Sequence, residues 1–159
     1  MEPQIAQAKM LAETGRDRIL KTFKAVPDDK LTWSPAETSK SSLAIAAHCG
    51  MTNQFFSRLI RGEAVEMPAS VEEVDAHMKE AIAGVKTRRQ AEELITDSSA
   101  AVVAALDTVT TERLQSTVNL PFGPMPMAVI VNIPGAHMTS HAAQLDYLQT
   151  MWGDLQNHW

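Results

Sequence analysis

The sequence predicts an all-α fold, a four-helix bundle formed by one domain that spans residues 1–159. Four long segments repeat apolar residues at helical spacing, and no convincing set of strands accompanies them. A chain of 159 residues with 45% hydrophobic content is large enough to bury one core without disulfide or metal staples. The connections after the second and third long helices exceed a tight turn, which allows a crossover with two sequential helices parallel.

The first helix is predicted over Pro3 to Ala25, where apolar residues such as Ile19 and Phe23 share one face. Pro27 ends it, and an irregular linker follows. The second helix begins at an N-cap serine, Ser41 or Ser42, and ends at Gly62.

Two capping-box patterns open the next two helices. Ser70 with Glu73 predicts a short peripheral helix that ends near Gly84. Thr87 with Gln90 predicts the third main helix, with an apolar stripe that continues to about Val109.

The stretch from Thr110 to Met127 contains three prolines and a β-prone run at Ser116 to Leu120, which predicts extended chain or a small hairpin. The last helix is predicted over Pro126 to Trp152. Pro134 lies inside that range and should kink or split the helix.

The charge and the targeting signals exclude several classes of protein. Fourteen basic residues against nineteen acidic ones give a net charge of −5, and the basic residues are scattered, so we expect no nucleic-acid partner. Neither a signal peptide nor a membrane span is predicted, which indicates a cytoplasmic protein. Cys49 is the single cysteine, so CxxC motifs are absent, and we expect a buried structural thiol.

Three histidines fall on apolar helix faces. His137 and His141 are four residues apart, which on a helix places their Cβ atoms about 6 Å from each other. His48 lies on the core-facing side of the second helix, where a bundle would bring it opposite the pair. Three imidazoles with open positions for water form a catalytic type of zinc site. The other interpretation is three separate core histidines, each hydrogen-bonded to its own polar partner.

Other side chains near these histidines have weaker signals. Gln144 follows His141 by three residues and could reach a metal-bound water, a substrate or a core polar group. The segment from His137 to His141 lacks the glutamate of HExxH, which disfavours peptidase activity. His77 and His158 lie in polar surroundings and are expected at the surface. A pocket is expected from loops 25–40 and 110–127, and the candidate aromatic lining residues, which are core residues by default, are Trp33, Phe55, Phe56 and Phe122.

Two blocks of sequence resemble the DinB-like (DinB/YfiT-like) family of metalloenzymes. The first runs from Leu31-Thr32-Trp33-Ser34-Pro35 to Ser42-Leu43-Ala44-Ile45-Ala46-Ala47-His48, and the second is His137-Met138-Thr139-Ser140-His141-Ala142-Ala143-Gln144-Leu145. The resemblance covers almost the entire chain. The chain departs from the family pattern at Pro134-Gly135, where relatives usually continue an unbroken helix.

The resemblance implies a four-helix bundle in up-down-down-up order, with the long crossover between helices 2 and 3, and often a homodimer. It also implies that His48, His137 and His141 bind one divalent metal, with zinc or nickel first and manganese or iron as further candidates. Relatives with assigned activity depend on thiols, which implies a thiol S-transferase or a hydrolase acting on small electrophilic substrates.

Three imidazole ligands would leave the metal its full positive charge, which favours deprotonation of a thiol or water. The alternative is a non-catalytic dimeric bundle whose metal site is structural or vestigial. A substrate-accessible position on the metal would favour the enzyme, whereas a fourth protein ligand would favour the structural site.

Overall fold

The computed structural model describes residues 2–65, 70–121 and 123–158. Helices dominate these segments. The long ones are α1 (Pro3–Ala25), α2 (Ser42–Arg61), α3 (Val71–Ala83) and α4 (Arg88–Leu106) in the first two thirds of the chain. A short helix, α5 (Thr111–Leu114), precedes strands β1 (Thr117–Leu120) and β2 (Gly123–Pro126), and α6 (Met127–Ile130) and α7 (Ile133–Thr150) complete the chain.

The predicted helix ends are confirmed by their caps. The Ser41 hydroxyl accepts a hydrogen bond from the Ala44 N–H at the start of α2. Gly62 ends α2 with φ of +77°, a left-handed conformation that glycine adopts without steric cost. At α4, Thr87 and Gln90 form both hydrogen bonds of a capping box.

The four longest helices, α1, α2, α4 and α7, form the core. The main packing partners are α2 with α4 and α1 with α7, and both α1 with α4 and α2 with α7 are also in contact. Fully buried apolar side chains of these helices form the core, among them Phe23, Ile95, Met138 and Leu145. The described part of the chain contains no helix with both the length and the apolarity needed to cross a bilayer.

The peripheral helix and the hairpin that the sequence predicts are also present. α3 has no buried residue and packs against α2. β1 and β2 pair antiparallel, with Thr117 opposite Pro126 and Leu120 opposite Gly123. In chain order the hairpin lies between α5 and α6, so it is part of the connection from α4 to α7.

The predicted split of the helix over 126–152 is present, but it lies earlier than expected, because the chain forms α6 and α7 with a break at Val131 and Asn132. Pro134 falls in the first turn of α7, where the proline lacks only an N–H that would have no helical partner. The split therefore comes before the proline, and the rest of α7 is continuous through both histidines.

Candidate metal centre

Three histidines from two packed helices meet in the structure. His48 lies in the first half of α2, and His137 and His141 lie one turn apart on α7. Their ring centroids are 4.4 to 4.9 Å apart. Within the described residues, these three form the group of histidine, cysteine or carboxylate side chains that could hold a metal ion.

The Nε2 atoms point at one another. His137 Nε2 lies 3.0 Å from His48 Nε2 and 3.1 Å from His141 Nε2. One ion at the usual zinc–nitrogen distance of about 2.0–2.1 Å could contact His137 Nε2 together with either neighbour. His48 and His141 belong to the same cluster, whose ligand atoms all lie within 4.8 Å of one another.

Gln144 determines which nitrogen of His141 carries the proton. The Oε1 atom of Gln144 lies 2.7 Å from His141 Nδ1. A carbonyl oxygen only accepts, so Nδ1 donates its hydrogen, and in the neutral ring Nε2 keeps a lone pair directed at the other histidines. Gln144 is exposed and lies on α7 beside the ring that it orients.

The other two rings have buried Nδ1 atoms. Neither His48 Nδ1 nor His137 Nδ1 has a hydrogen-bond partner among the described residues. His137 Nε2 carries either one hydrogen or one lone pair in a neutral ring, so it cannot form a normal hydrogen bond with both His48 Nε2 and His141 Nε2. A cation at their centre would satisfy all three lone pairs, and the donor set therefore fits a divalent metal.

The surroundings keep these rings neutral. Burial, and to a smaller extent the positive charges of His141 and His48, lower the pKa of His137 to about 3. Burial, with His141 and Lys40, lowers the pKa of His48 to about 4. Burial also lowers the pKa of His141, against the hydrogen bond to Gln144, which raises it. Neutral imidazole is the form that binds metal.

A cavity adjoins the three histidines. It has a volume of about 950 Å³, and His48 and His137 form part of its wall. Most of the remaining wall is apolar and comes from α2 and α3, with Ala101, Pro121 and Ile133 added from other elements. We call this space the α2–α3 cavity. It gives one side of the histidine cluster access to a molecule larger than water.

The pocket prediction from loops 25–40 and 110–127 is wrong in its main part. Loop 25–40 contributes no described lining residue, and loop 110–127 contributes Pro121. Trp33 instead packs edge-on against Trp152, with ring centroids 5.6 Å apart. Phe55 and Phe56 do line the cavity, whereas Phe122 lies outside the described residues.

Sequence reasoning missed the contribution of α3. His77 is exposed, as expected, but it also lines the cavity together with Met78. Arg58 and Arg61 at the end of α2 line it as well. The available signal was the predicted segment from Ser70 to Gly84, which has a capping-box pattern but no fully apolar stripe. Such a helix covers a partly open surface and does not lie in a core.

The two remaining expectations concern Cys49 and His158. Cys49 is fully buried, and burial raises the pKa of its thiol. His158 was expected at the surface but is half-buried, and its Nε2 pairs with Asp154 Oδ2 at 2.8 Å, apart from the cluster. Neither residue joins the three histidines.

Comparison with known proteins agrees with this architecture. A sequence model of the DinB superfamily matches residues 11–145. The chain belongs to the DinB superfamily. The match includes all three histidines and Gln144.

Two solved structures are similar to this chain over nearly their whole length. A DinB-like protein from Bacillus subtilis has a TM-score of 0.67 at 15% identity, with 96% of this chain and 96% of that chain covered. A conserved protein from Enterococcus faecalis has a TM-score of 0.72 at 14% identity, with 95% and 97% covered. No curated protein matches this chain significantly. At such identities the likeness concerns the fold alone.

Proposed function

We propose that this DinB-superfamily protein is a divalent-metal-dependent enzyme, a thiol S-transferase or hydrolase that acts on small electrophilic substrates. The observation that carries the proposal is the convergence of three Nε2 atoms at the wall of an apolar cavity. We also propose that α1, α2, α4 and α7 form the up-down-down-up bundle of the family and that Gln144 is a positioning residue.

The donor set supports a catalytic rather than a structural metal. Structural zinc sites have four protein ligands, whereas catalytic sites keep a position for water or substrate. Three histidines are present here, and the described residues add no fourth histidine, cysteine or carboxylate to the group. The ion would be zinc or nickel, or else manganese or iron, since three imidazoles accept each of these.

The protein's own residues have defined tasks in this proposal. His48, His137 and His141 hold the ion in their neutral form, and Gln144 orients the His141 ring. The apolar wall excludes bulk water from the electrophile. When bound, the divalent ion supplies a Lewis acid that lowers the pKa of a thiol or of water.

The overall reaction balances without a redox partner. In the transfer, the thiol sulfur forms a bond to the electrophilic carbon, the leaving group departs with its bonding electrons, and the thiol proton passes to solvent. In hydrolysis, water takes the place of the thiol. Manganese, iron, nickel or zinc would keep its oxidation state throughout.

Metal content tests the proposal first. We expect about one divalent ion per chain, by elemental analysis, in protein purified without a histidine tag or chelator. His48→Ala should lose that ion, and His158→Ala should keep it because His158 pairs with Asp154 away from the cluster. Stoichiometric metal in His48→Ala would contradict the assignment of the ligands.

Measurement of turnover tests whether the metal-loaded protein is an enzyme. The metal-loaded protein should join a low-molecular-weight thiol to a fluorogenic electrophile such as monochlorobimane, or hydrolyse an activated ester, faster than the His48→Ala variant. Loaded protein with neither activity would favour the non-catalytic bundle.

A further inference from the structure

We infer that the α2–α3 cavity binds an amphipathic carboxylate, whose apolar body contacts the cavity wall and whose carboxylate binds at Arg58 and Arg61. The other end of the body would then face the three histidines. The orientation of the ligand's reacting end towards the histidines rests on the proposed function. The arginine subsite is argued independently, from the contacts of Arg58 and Arg61, and is tested separately.

The charges of the cavity wall favour an anion. The chain as a whole carries a net charge of −5. Yet the charged side chains among the described lining residues are two arginines, and no carboxylate is among them. Acidic residues occur on α3, but the α3 residues that line the cavity are Val74, His77, Met78 and Ala81. A cavity with one sign of charge and an apolar wall concentrates ligands of the opposite sign.

Helix geometry separates the arginines from the histidines. Arg58 follows His48 by ten residues on the continuous helix α2, which corresponds to about 15 Å along the axis. Arg61 lies a further turn along. Between the two ends, Met51 and Phe55 contribute apolar wall from α2. A ligand that contacts both ends must therefore be elongated, with an apolar middle.

The arginine pair retains positive charge and accessible donors. Glu63 pairs with both, through Arg58 Nε at 3.1 Å and Arg61 Nη1 at 3.4 Å. One carboxylate against two guanidinium groups leaves a net charge of +1. Arg58 Nη2 also donates to the Ala64 carbonyl oxygen at 3.2 Å. The side chains of Arg58 and Arg61 are 53% and 38% exposed, so a ligand can reach the N–H groups that Glu63 and Ala64 leave free. Guanidinium groups match the geometry of a carboxylate.

The volume also fits this ligand class. At about 950 Å³ the cavity lies near the upper end of the range for small-molecule sites. Phe55 and Phe56, whose ring centroids lie 5.2 Å apart, pack edge to face, a favoured geometry for an aromatic pair in an apolar wall. A short hydrophilic acid would leave most of this apolar surface in contact with water.

Two arginines in the last turn of α2 also have a structural interpretation, because cations there interact favourably with the helix dipole. That role would affect the stability of α2 but would not distinguish a carboxylate from a neutral amide. Ligand preference therefore separates the two interpretations.

The experiment is calorimetric titration of the full chain with acetate, hexanoate, octanoate and the neutral octanamide. Each added methylene should tighten binding about threefold to fourfold. Octanoate should bind more tightly than octanamide. The double variant Arg58→Gln/Arg61→Gln should weaken octanoate binding about tenfold or more and leave octanamide unchanged. Arg89→Gln is the matched control, because Arg89 is an exposed arginine paired with Glu93 on α4.

The inference is overturned if octanoate and octanamide bind equally, or if the double variant binds octanoate as tightly as the unaltered protein does. It is also overturned if Arg89→Gln weakens octanoate binding as much as the double variant does. Titration of chelator-treated and metal-loaded protein separates this result from the proposed function. Arginine-dependent binding in a protein that takes up no metal would support the subsite and contradict the metalloenzyme. Stoichiometric metal without that binding would overturn the subsite alone.

Discussion

Gly15 on α1 and Gly135 on α7 are in backbone contact. A β-carbon on Gly15 would lie 2.6 Å from the Gly135 carbonyl oxygen, and one on Gly135 would lie 2.4 Å from the Leu11 carbonyl carbon. Both distances are too short for any other residue type without movement of a helix. The contact fixes the first turn of α7 on α1, two residues before His137.

Gly135→Ala should therefore destabilise the protein by about 1–3 kcal/mol, as over-packing of a close contact does. Urea unfolding measured by circular dichroism gives the free energy. Gly84→Ala is the control, since Gly84 is exposed with a φ of −72° that alanine adopts. Equal stability of Gly135→Ala and the unaltered protein would show that α1 and α7 can separate at no cost.

This contact also explains a feature that the sequence alone left unexplained. Sequence reasoning attributed the break in the last helix to Pro134 and assigned no role to Gly135. The structure breaks the helix before Pro134 and uses Gly135 for the approach to α1. A glycine whose function is contact with a distant helix has no local signal in the sequence.

Capping residues and apolar periodicity predicted the other helices well. Ser41 and Thr87 cap α2 and α4 as predicted, because an N-cap is a local interaction within four residues. The three histidines were also predictable, since helical spacing places two on one face. The cavity was not, because its wall combines α2 with α3, and the packing of a peripheral helix depends on tertiary contacts.

Arg88 joins the end of α1 to the start of α4. Its guanidinium donates to the carbonyl oxygens of Phe23, at 2.7 Å, and Val26, and pairs with Asp28 at 2.8 Å. The Phe23 carbonyl also accepts from the Val26 N–H, and Val26 is the C-cap of α1, so Arg88 adds charged donors at the end of this helix. The guanidinium carbon also lies 5.2 Å from the Phe23 ring centroid.

Arg88→Ala should lower the free energy of unfolding by about 1–3 kcal/mol, because buried carbonyl groups lose charged donors. Arg89→Ala should change it by about 0.5 kcal/mol or less, since Arg89 makes an exposed i,i+4 pair. Thermal or urea denaturation of the two variants measures the difference. Equal effects in the two would mean that Arg88 adds no more than a surface ion pair.

Gln144 should affect metal affinity rather than metal stoichiometry. Gln144→Ala removes the acceptor that holds His141 Nδ1–H, and loss of such a partner weakens metal binding about 10- to 100-fold. Gln144→Glu keeps an acceptor at the same position and should retain the affinity. Competition with a chromophoric chelator measures both. Unchanged affinity in Gln144→Ala would show that packing alone orients His141.

The metal-free protein should lose stability as the pH falls from 7 to 5. The unfolded histidines take up protons near pH 6.5, whereas folded His48 and His137 have pKa values of about 4 and about 3. Between these values the unfolded chain binds more protons, so acid favours unfolding. The stability is complete above about pH 6.5 and declines as the pH approaches the folded values.

Urea unfolding at pH 7 and pH 5 in the presence of a chelator measures this decline. His137→Leu should show a smaller decline, and His77→Ala should show the same decline as the unaltered protein because His77 is exposed. Equal midpoints at both pH values in the unaltered protein would mean that the histidines take up protons in the same pH range in the folded and unfolded states.

Cys49 should be unreactive in the folded protein. Its thiol is fully buried beside His48, and burial raises its pKa, so the nucleophilic thiolate form is suppressed at neutral pH. Ellman's reagent should label no thiol under native conditions and one thiol per chain in urea. Because Cys49 is inaccessible, a thiol used in the proposed transfer must come from outside the protein, and Cys49→Ala should leave the rate of transfer unchanged. Rapid labelling of the native protein, or loss of transfer in a folded Cys49→Ala variant that keeps its metal, would instead place Cys49 in the reaction.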